Sequence, residues 1–130
     1  MKTKLFVFLF LAVSIIPNLL FAQYIQQGSK LLSSGAVGAP QRGTSVSLMG
    51  YGNGALVGGP TDNGSTGAMW FYIRTNGVWS QYGTKIVPSE AHANSNFGMS
   101  VGISSDGLTA IGSAVILGQG AYVFTRSGSI

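Results

Sequence analysis

Hydrophobic residues occur along most of the chain in short runs of four to eight residues, separated by clusters of Gly, Ser, Asn and Pro. Beyond residue 22, no stretch repeats hydrophobic residues at helical spacing over ten or more positions without a glycine. Runs rich in Val, Ile, Tyr, Phe and Trp between such clusters are typical of β-strands joined by turns. Strands are therefore predicted near residues 24–32, 44–48, 55–58, 68–74, 78–87, 99–103, 109–112 and 121–125.

Two dipeptides between these runs predict tight turns. Asn76-Gly77 separates Arg74 from Val78, and Asn and Gly both tolerate the positive φ that the favoured two-residue hairpin turn requires. Asp106-Gly107 is a second, similar signal. Residues 33–42 and 88–96 are predicted to be loops.

The first 22 residues have the layout of a secretory signal peptide. Lys2 and Lys4 precede an apolar stretch, and the segment ends at the small residue Ala22. Pro17 and Asn18 interrupt the apolar run, so an uncleaved membrane anchor is the weaker interpretation. We therefore expect a protein that is secreted, on the cell surface or in the periplasm, with no membrane segment after cleavage.

The composition of residues 23–130 narrows the function classes. Five basic residues against three acidic ones leave a net charge of +2, without the basic stripe that nucleic-acid binding requires. The chain contains no cysteine, so an exported fold has no disulfide framework and is held by burial alone.

An internal repeat is the most informative feature of the sequence. At a spacing of 55, Gly28 and Lys30 match Gly83 and Lys85, and the same spacing holds for an ordered series that follows: Gly43, Ser45, Val46, Gly52 and Ala55 with Gly98, Ser100, Val101, Gly107 and Ala110. The spacing then shortens to 54, 53 and 52 for Gly58 with Gly112, Gly67-Ala68 with Gly120-Ala121, and Arg74 with Arg126. Two repeats, at about residues 24–80 and 81–130, are predicted to make up a domain over residues 23–130.

A period near 50 residues with about four short strands is typical of β-propeller blades. Val46 and Leu48 alternate with serines, as Val101 and Ile103 alternate around Gly102, so these four apolar side chains are expected to be buried. The predicted fold class is all-β, with two propeller-like blades of short antiparallel strands. Two blades are too few to close a propeller, which has about four to eight.

Three alternatives stay open, and one of them is a small β fold that is not a propeller. The other two explain why a propeller chain has only two blades. One is that the chain is a truncated piece of a longer repeat protein. The other is a homo-oligomer that completes a propeller, in which residues 24–32, equivalent to the fourth strand of a blade, close the last blade of another copy.

The two repeats resemble a known family. Phe97-Gly98-Met99-Ser100-Val101 resembles the FG-x-S-V half of the FG-GAP repeat, and Leu56-Val57-Gly58-Gly59-Pro60 resembles its V-G-A-P half. Residues 24–130 are similar to the FG-GAP-type repeats of secreted bacterial proteins and of the integrin alpha-chain propeller. The resemblance implies a β-propeller with a role in adhesion or protein binding.

Many FG-GAP repeats also carry an aspartate-rich calcium loop. Here the corresponding intervals contain one aspartate, Asp106, whereas calcium takes six to eight oxygen ligands. No cofactor or metal is therefore predicted, and Asp62-Asn63-Gly64 is interpreted as a turn with only a weak case for a cation. His92 beside Glu90 lacks a third orienting group for catalysis, and nothing in the repeat pairs Glu90 with Asp106.

Aromatic residues around the Asn76-Gly77 hairpin are the candidate partner-binding residues: Trp70, Tyr72, Trp79 and Tyr82. Exposed rings of this kind anchor protein partners or stack on sugars, whereas the alternative is that they form the core between blades. The predicted function is an exported, non-enzymatic module that binds a protein or a glycan. The alternative is a non-catalytic fragment of a propeller-containing enzyme.

Overall fold

Two antiparallel β-sheets form the regular secondary structure of the computed structural model, apart from one helical turn; the model describes residues 22–115 and 120–128. The first sheet has four strands in the order β1-β2-β3-β4, and the second has three in the order β5-β6-β7. The predicted all-β class is confirmed. The elements are β1 (Ser45–Leu48), β2 (Gly54–Gly59), the single helical turn α1 (Asp62–Ser65), β3 (Ala68–Thr75), β4 (Val78–Gln81), β5 (Val101–Ile103), β6 (Thr109–Ser113) and β7 (Ala121–Thr125).

The β3–β4 hairpin turns where the sequence predicts it. Asn76 and Gly77 have φ angles of 50° and 80°, the left-handed values that a two-residue hairpin turn requires. β4 is shorter than the predicted strand 78–87, because Gly83 adopts a φ of 74° and bends the chain out of register. Pairing with β3 resumes at Ile86, which exchanges two backbone hydrogen bonds with Met69.

One predicted strand, residues 24–32, is wrong for the structure described. This segment has no regular secondary structure, and Tyr24 and Ile25 are exposed. A strand needs a neighbour to satisfy its backbone groups, and no described residue pairs with this segment as a strand. The predicted signal peptide lies outside the described residues, except for Ala22.

The two central strands of the first sheet, β2 and β3, are covered on both faces. One face presents Leu56, Met69 and Phe71 to the second sheet. The opposite face carries Trp70 and Tyr72 and is covered by the segment that precedes β1, where Leu31 and Ala36 pack and Ser34 accepts a 3.1 Å hydrogen bond from Trp70 Nε1. Both faces of β3 are therefore apolar, as the sequence indicates.

The serines of β1, and not its apolar residues, face the second sheet. Ser45 Oγ donates a 2.7 Å hydrogen bond to the Gly98 carbonyl, and Ser47 Oγ accepts one from the Ile103 amide. Val46 is 66% exposed and Leu48 is also exposed, so the expectation that they are buried is wrong. Backbone groups at the contact between the sheets need partners, and the two hydroxyls supply them.

Phe97 joins the two sheets. Its fully buried ring lies 5.9 Å from the Tyr122 ring and 6.0 Å from the Phe124 ring. Its backbone amide donates to the Thr66 carbonyl of the first sheet's connection. The next residue, Gly98, has a φ of 88°, and a Cβ there would lie 2.4 Å from a backbone oxygen of β3. Only glycine fits this close approach without strain.

The strand pairing of the first sheet recurs in the second. Val46 pairs with Val57 in the first sheet, and Val101 pairs with Gly112 in the second, with each residue 55 positions further along the chain. Three backbone hydrogen bonds outside the strands also recur, with donors and acceptors shifted by 55 or 52 residues. In the first repeat, the amides of Gly43, Met49 and Arg74 donate to the carbonyls of Gly58, Gly54 and Asn53. In the second repeat, the amides of Gly98, Ser104 and Arg126 donate to the carbonyls of Ser113, Thr109 and Leu108.

The sheets stack through unlike faces. The face of the second sheet that is buried against the first carries Val101 and Ile103, whose equivalents Val46 and Leu48 lie on the face of the first sheet that points away. A two-fold axis would bring like faces together. The stacking instead has the head-to-tail geometry of a repeat that continues in one direction.

Candidate functional site

An apolar pocket of about 290 Å³ opens between the two sheets. Leu56 and Phe71 of the first sheet form one wall, and Ile103 and Phe124 of the second form the other. Residues outside these strands complete the rim: Tyr82 and Ile86 follow β4, Leu108 lies between β5 and β6, and Arg126 follows β7. Apolar walls with a single cationic group are typical of a site that holds an apolar group in one orientation.

Tyr82 is held at the rim by β3. Its backbone amide donates a 2.8 Å hydrogen bond to the Phe71 carbonyl, and its ring meets the Phe71 ring edge-on at 6.0 Å. The left-handed Gly83 then turns the chain, which leaves Tyr82 41% exposed beside the pocket. This residue is one of the four aromatic candidates predicted from the sequence.

Arg126 lies over two aromatic rings at the same rim. Its guanidinium carbon is 5.8 Å from the centroid of the Tyr82 ring and 5.9 Å from that of Phe71, within the range of a cation–π contact. Its Nε is buried and has no hydrogen-bond partner among residues 22–115 and 120–128. A buried N–H without an acceptor costs free energy.

The equivalent arginine of the first repeat, Arg74, is better satisfied. Its Nη1 donates to Gln27 and its Nη2 to Asn53, at 2.9 and 3.0 Å, and its guanidinium stacks on Trp79. Arg126 lies 52 residues after Arg74. At the spacing of 55, Leu108 takes the position of Asn53, and Tyr82 takes the position of Gln27. Both amide side chains that accept from Arg74 are therefore replaced by side chains without an amide oxygen around Arg126. The sequence signal for Arg126 was its match to Arg74.

The other aromatic candidates lie elsewhere. Trp70 and Tyr72 are buried in the core on the far face of the first sheet, with the core role that the alternative interpretation gives them. Burial raises the pKa of the Tyr72 hydroxyl, and the nearby Ser33 and Arg42 partly oppose this shift. Trp79 is half-buried under Arg74. The structure therefore does not gather the four aromatic residues into one surface.

The acidic residues are bound to the chain's own groups or lie in loops. Asp106 accepts from the Ser104 hydroxyl at 2.6 Å and from the Leu108 amide at 2.9 Å, and the Ser104 hydrogen bond is the main reason that its pKa is lowered. Glu90 and His92 are exposed in the loop before Phe97. The described part of the chain holds no group of three His, Asp or Glu side chains with metal-binding geometry.

Asp62 is fully buried and has a cation of its own. Lys85 Nζ lies 2.6 Å from Oδ2, and the Val37 amide donates to Oδ1 at 2.7 Å. The pair ties the segment that follows β4, and the segment that precedes β1, to the turn α1. The Asp62-Asn63-Gly64 cluster therefore has a structural role, in which the Lys85 ammonium neutralises the buried carboxylate.

The described residues contain no helix with the length and apolarity needed to cross a membrane. Comparison of the chain with protein-family models, with curated proteins and with solved structures returns no match.

Proposed function

We propose that the chain is an exported, non-enzymatic β-repeat module that binds a partner protein through the pocket beside Tyr82 and Arg126. The observation that carries the proposal is the position of the Arg126 guanidinium, which lies over the Tyr82 and Phe71 rings at the rim of an apolar pocket. A protein segment with an apolar side chain next to a carboxylate matches both features. The apolar group fills the pocket, and the carboxylate accepts from the guanidinium.

We propose a propeller-like arrangement of the two repeats, which suits this role. The matched strand register and the stacking of unlike faces are the relations expected between neighbouring blades. The FG-GAP resemblance of residues 56–60 and 97–101 implies the same architecture and the same class of function. Export rests on the signal-peptide layout of residues 1–22.

A protein ligand is favoured over a glycan by the chemistry of the walls. Sugar recognition relies on several polar groups that meet the hydroxyls, whereas the walls of this pocket are aliphatic and aromatic. Tyr82 and Arg126 are also of the residue types that dominate the energetics of protein interfaces.

The experiment is a selection of random peptides displayed on phage against immobilised protein comprising residues 23–130. We expect enriched peptides that place an apolar residue beside Asp or Glu and that bind with a measurable Kd. Arg126→Gln and Tyr82→Ala should each weaken binding about tenfold or more, because losing a charge-assisted hydrogen bond or an aromatic contact costs about 1.5 kcal/mol.

Tyr51→Ala is the matched control, since Tyr51 is exposed and lies outside the pocket. The proposal is wrong if no peptide is enriched beyond the level seen with Arg126→Gln, or if both pocket variants bind as the wild type does. A parallel glycan array decides the ligand class, and saturable binding there alone would replace a protein ligand by a sugar.

A further inference from the structure

Residues 23–32 have the sequence of a fourth strand but no sheet to join. They match residues 78–87 at the spacing of 55, with identical Gln26 and Gln81, Gly28 and Gly83, and Lys30 and Lys85. The local structure matches as well. Gln26 Nε2 donates to the Gly28 carbonyl at 2.8 Å, as Gln81 Nε2 does to that of Gly83, and the two glycines have φ angles of 70° and 74°. Ile25, however, is 82% exposed.

The second sheet has the opposite deficiency. In the first sheet, β4 pairs along the outer edge of β3, whereas β7, the equivalent of β3, has no strand on that edge among residues 22–115 and 120–128. The backbone hydrogen bonds of Tyr122 and Phe124 are directed at β6, so those of Val123 and Thr125 face the open edge. An open edge of this kind is a template for another strand.

The segment 23–32 does not reach this edge within its own chain. Gln27 contacts Arg74, and Leu31 packs with Trp70 on the face of the first sheet that points away from the second sheet. The segment and β7 therefore lie on opposite sides of the first sheet. They meet only if a second copy brings its β7 to that side.

Exposed apolar faces lie where such a second copy would stack. Val123, 63% exposed, and Ile111 lie on the outer face of the second sheet. Val46 and Leu48 are exposed on the outer face of the first sheet. Val46 also lines a groove of about 540 Å³, together with Val57, Tyr72 and Leu31. Within one chain, Leu56 of the first sheet is equivalent to Ile111, and Val101 of the second sheet is equivalent to Val46. Leu56 belongs to the buried hydrophobic cluster between the sheets, against which Val101 packs.

We propose that copies of this chain assemble head-to-tail, with residues 24–31 of one copy adding as a fourth strand to the edge of β7 in the next copy. The register follows from β3 and β4, in which Ile73 pairs with Ser80 and Arg74 with Trp79. It places Ile25 of one copy opposite Thr125 of the other, and Tyr24 opposite Arg126. The Tyr24 ring then covers Arg126 as the Trp79 ring covers Arg74.

The same contact buries the two exposed faces, with Ile111 and Val123 of one copy against Val46 and Leu48 of the next. Because the contact joins unlike surfaces, it closes into a ring only at a fixed number of copies. Two, three or four copies give about four, six or eight stacked sheets, the range of closed propellers. This inference goes beyond the proposed binding function and does not depend on the pocket ligand.

Cysteine pairing between chains tests the register directly, since the natural sequence has no cysteine. Protein comprising residues 23–130 with Ile25→Cys is mixed with the Thr125→Cys variant and oxidised. In an antiparallel hydrogen-bonded pair the Cα atoms are about 5.5 Å apart, which suits a disulfide. We expect a crosslinked heterodimer in high yield.

Thr109→Cys replaces Thr125→Cys in the control mixture. Thr109 is exposed and pairs with Thr125 across β6 and β7, one strand further from the open edge. It should not crosslink to Ile25→Cys above the background of either single variant alone. Equal yields from the two mixtures would overturn the register.

The mass of the unmodified protein, from light scattering after gel filtration, tests the assembly itself. We expect a discrete dimer, trimer or tetramer that becomes a monomer when residues 23–32 are deleted or when Val46 is changed to Asp. Because Val46 is exposed within one chain, Val46→Asp should keep the β-sheet circular dichroism spectrum. A monomeric wild type at high micromolar concentration, or an oligomer unchanged by both variants, would overturn the proposal.

Discussion

Replacing Phe97 measures how much of the stability lies in the contact between the two sheets. The ring is fully buried, contacts the rings of Tyr122 and Phe124, and lies against Gly112, where a Cβ would come within 2.6 Å of a ring carbon. Each aromatic pair contributes about 1 kcal/mol beyond its buried area, so Phe97→Leu should lower the free energy of unfolding by about 2 kcal/mol. Phe97→Ala adds a cavity and should cost about 4 kcal/mol.

The assay is urea unfolding followed by tryptophan fluorescence and circular dichroism. With an m-value of about 1.5 kcal/mol per M, Phe97→Leu should lower the midpoint by about 1.3 M. Tyr51→Leu is the control, since Tyr51 is an exposed aromatic residue and its replacement should change stability by less than about 0.5 kcal/mol. If Phe97→Leu shifts the midpoint no more than this control, the sheets are not joined through the Phe97 ring.

Two further predictions concern the buried side chains of Asp62, in the turn α1, and of Tyr72, in β3. Lys85→Met should destabilise the protein by about 3–5 kcal/mol, because it leaves the buried Asp62 carboxylate without its counter-charge, whereas the equivalent and exposed Lys30→Met should have little effect. Similar urea midpoints for the two variants would show that the pair is not needed. Because the folded state raises the pKa of Tyr72, its contribution to stability is complete below pH 10 and is lost as the pH rises through the folded-state pKa. The free energy of unfolding, measured by urea titration, should therefore fall less between neutral and strongly alkaline pH in Tyr72→Phe than in the wild type. An equal fall in the two proteins would contradict this.

Strand positions were predictable because they depend on local pattern and turn chemistry. The sequence predicts a strand over residues 121–125, and β7 occupies those residues. The Asn76-Gly77 turn is equally local, since its two residues tolerate the positive φ that the hairpin needs. The spacing of 55 also anticipates the equal register of the two sheets through β6, although Gly112 holds the position of Val57 and not that of Gly58, with which the sequence matches it at 54.

The direction in which β1 faces was not predictable in the same way. Alternation shows that Val46 and Ser45 point to opposite sides but not which side meets the second sheet. The serines do so because Gly98 and Ile103 present backbone groups that need hydroxyl partners. Burial of Val46 was predicted from hydrophobicity alone, and this prediction fails within one chain.

By itself, the sequence determined the seven strands of the two sheets, the turns and the order of the repeats, because these follow from side-chain alternation and from residues that favour left-handed backbone. Tertiary structure alone decided that residues 24–32 lack a strand partner, that Asp62 pairs with Lys85, and that Arg126 lies at a pocket with its Nε unpaired among the described residues. Each of these depends on groups far apart in the chain, and their proximity depends on how the two sheets stack.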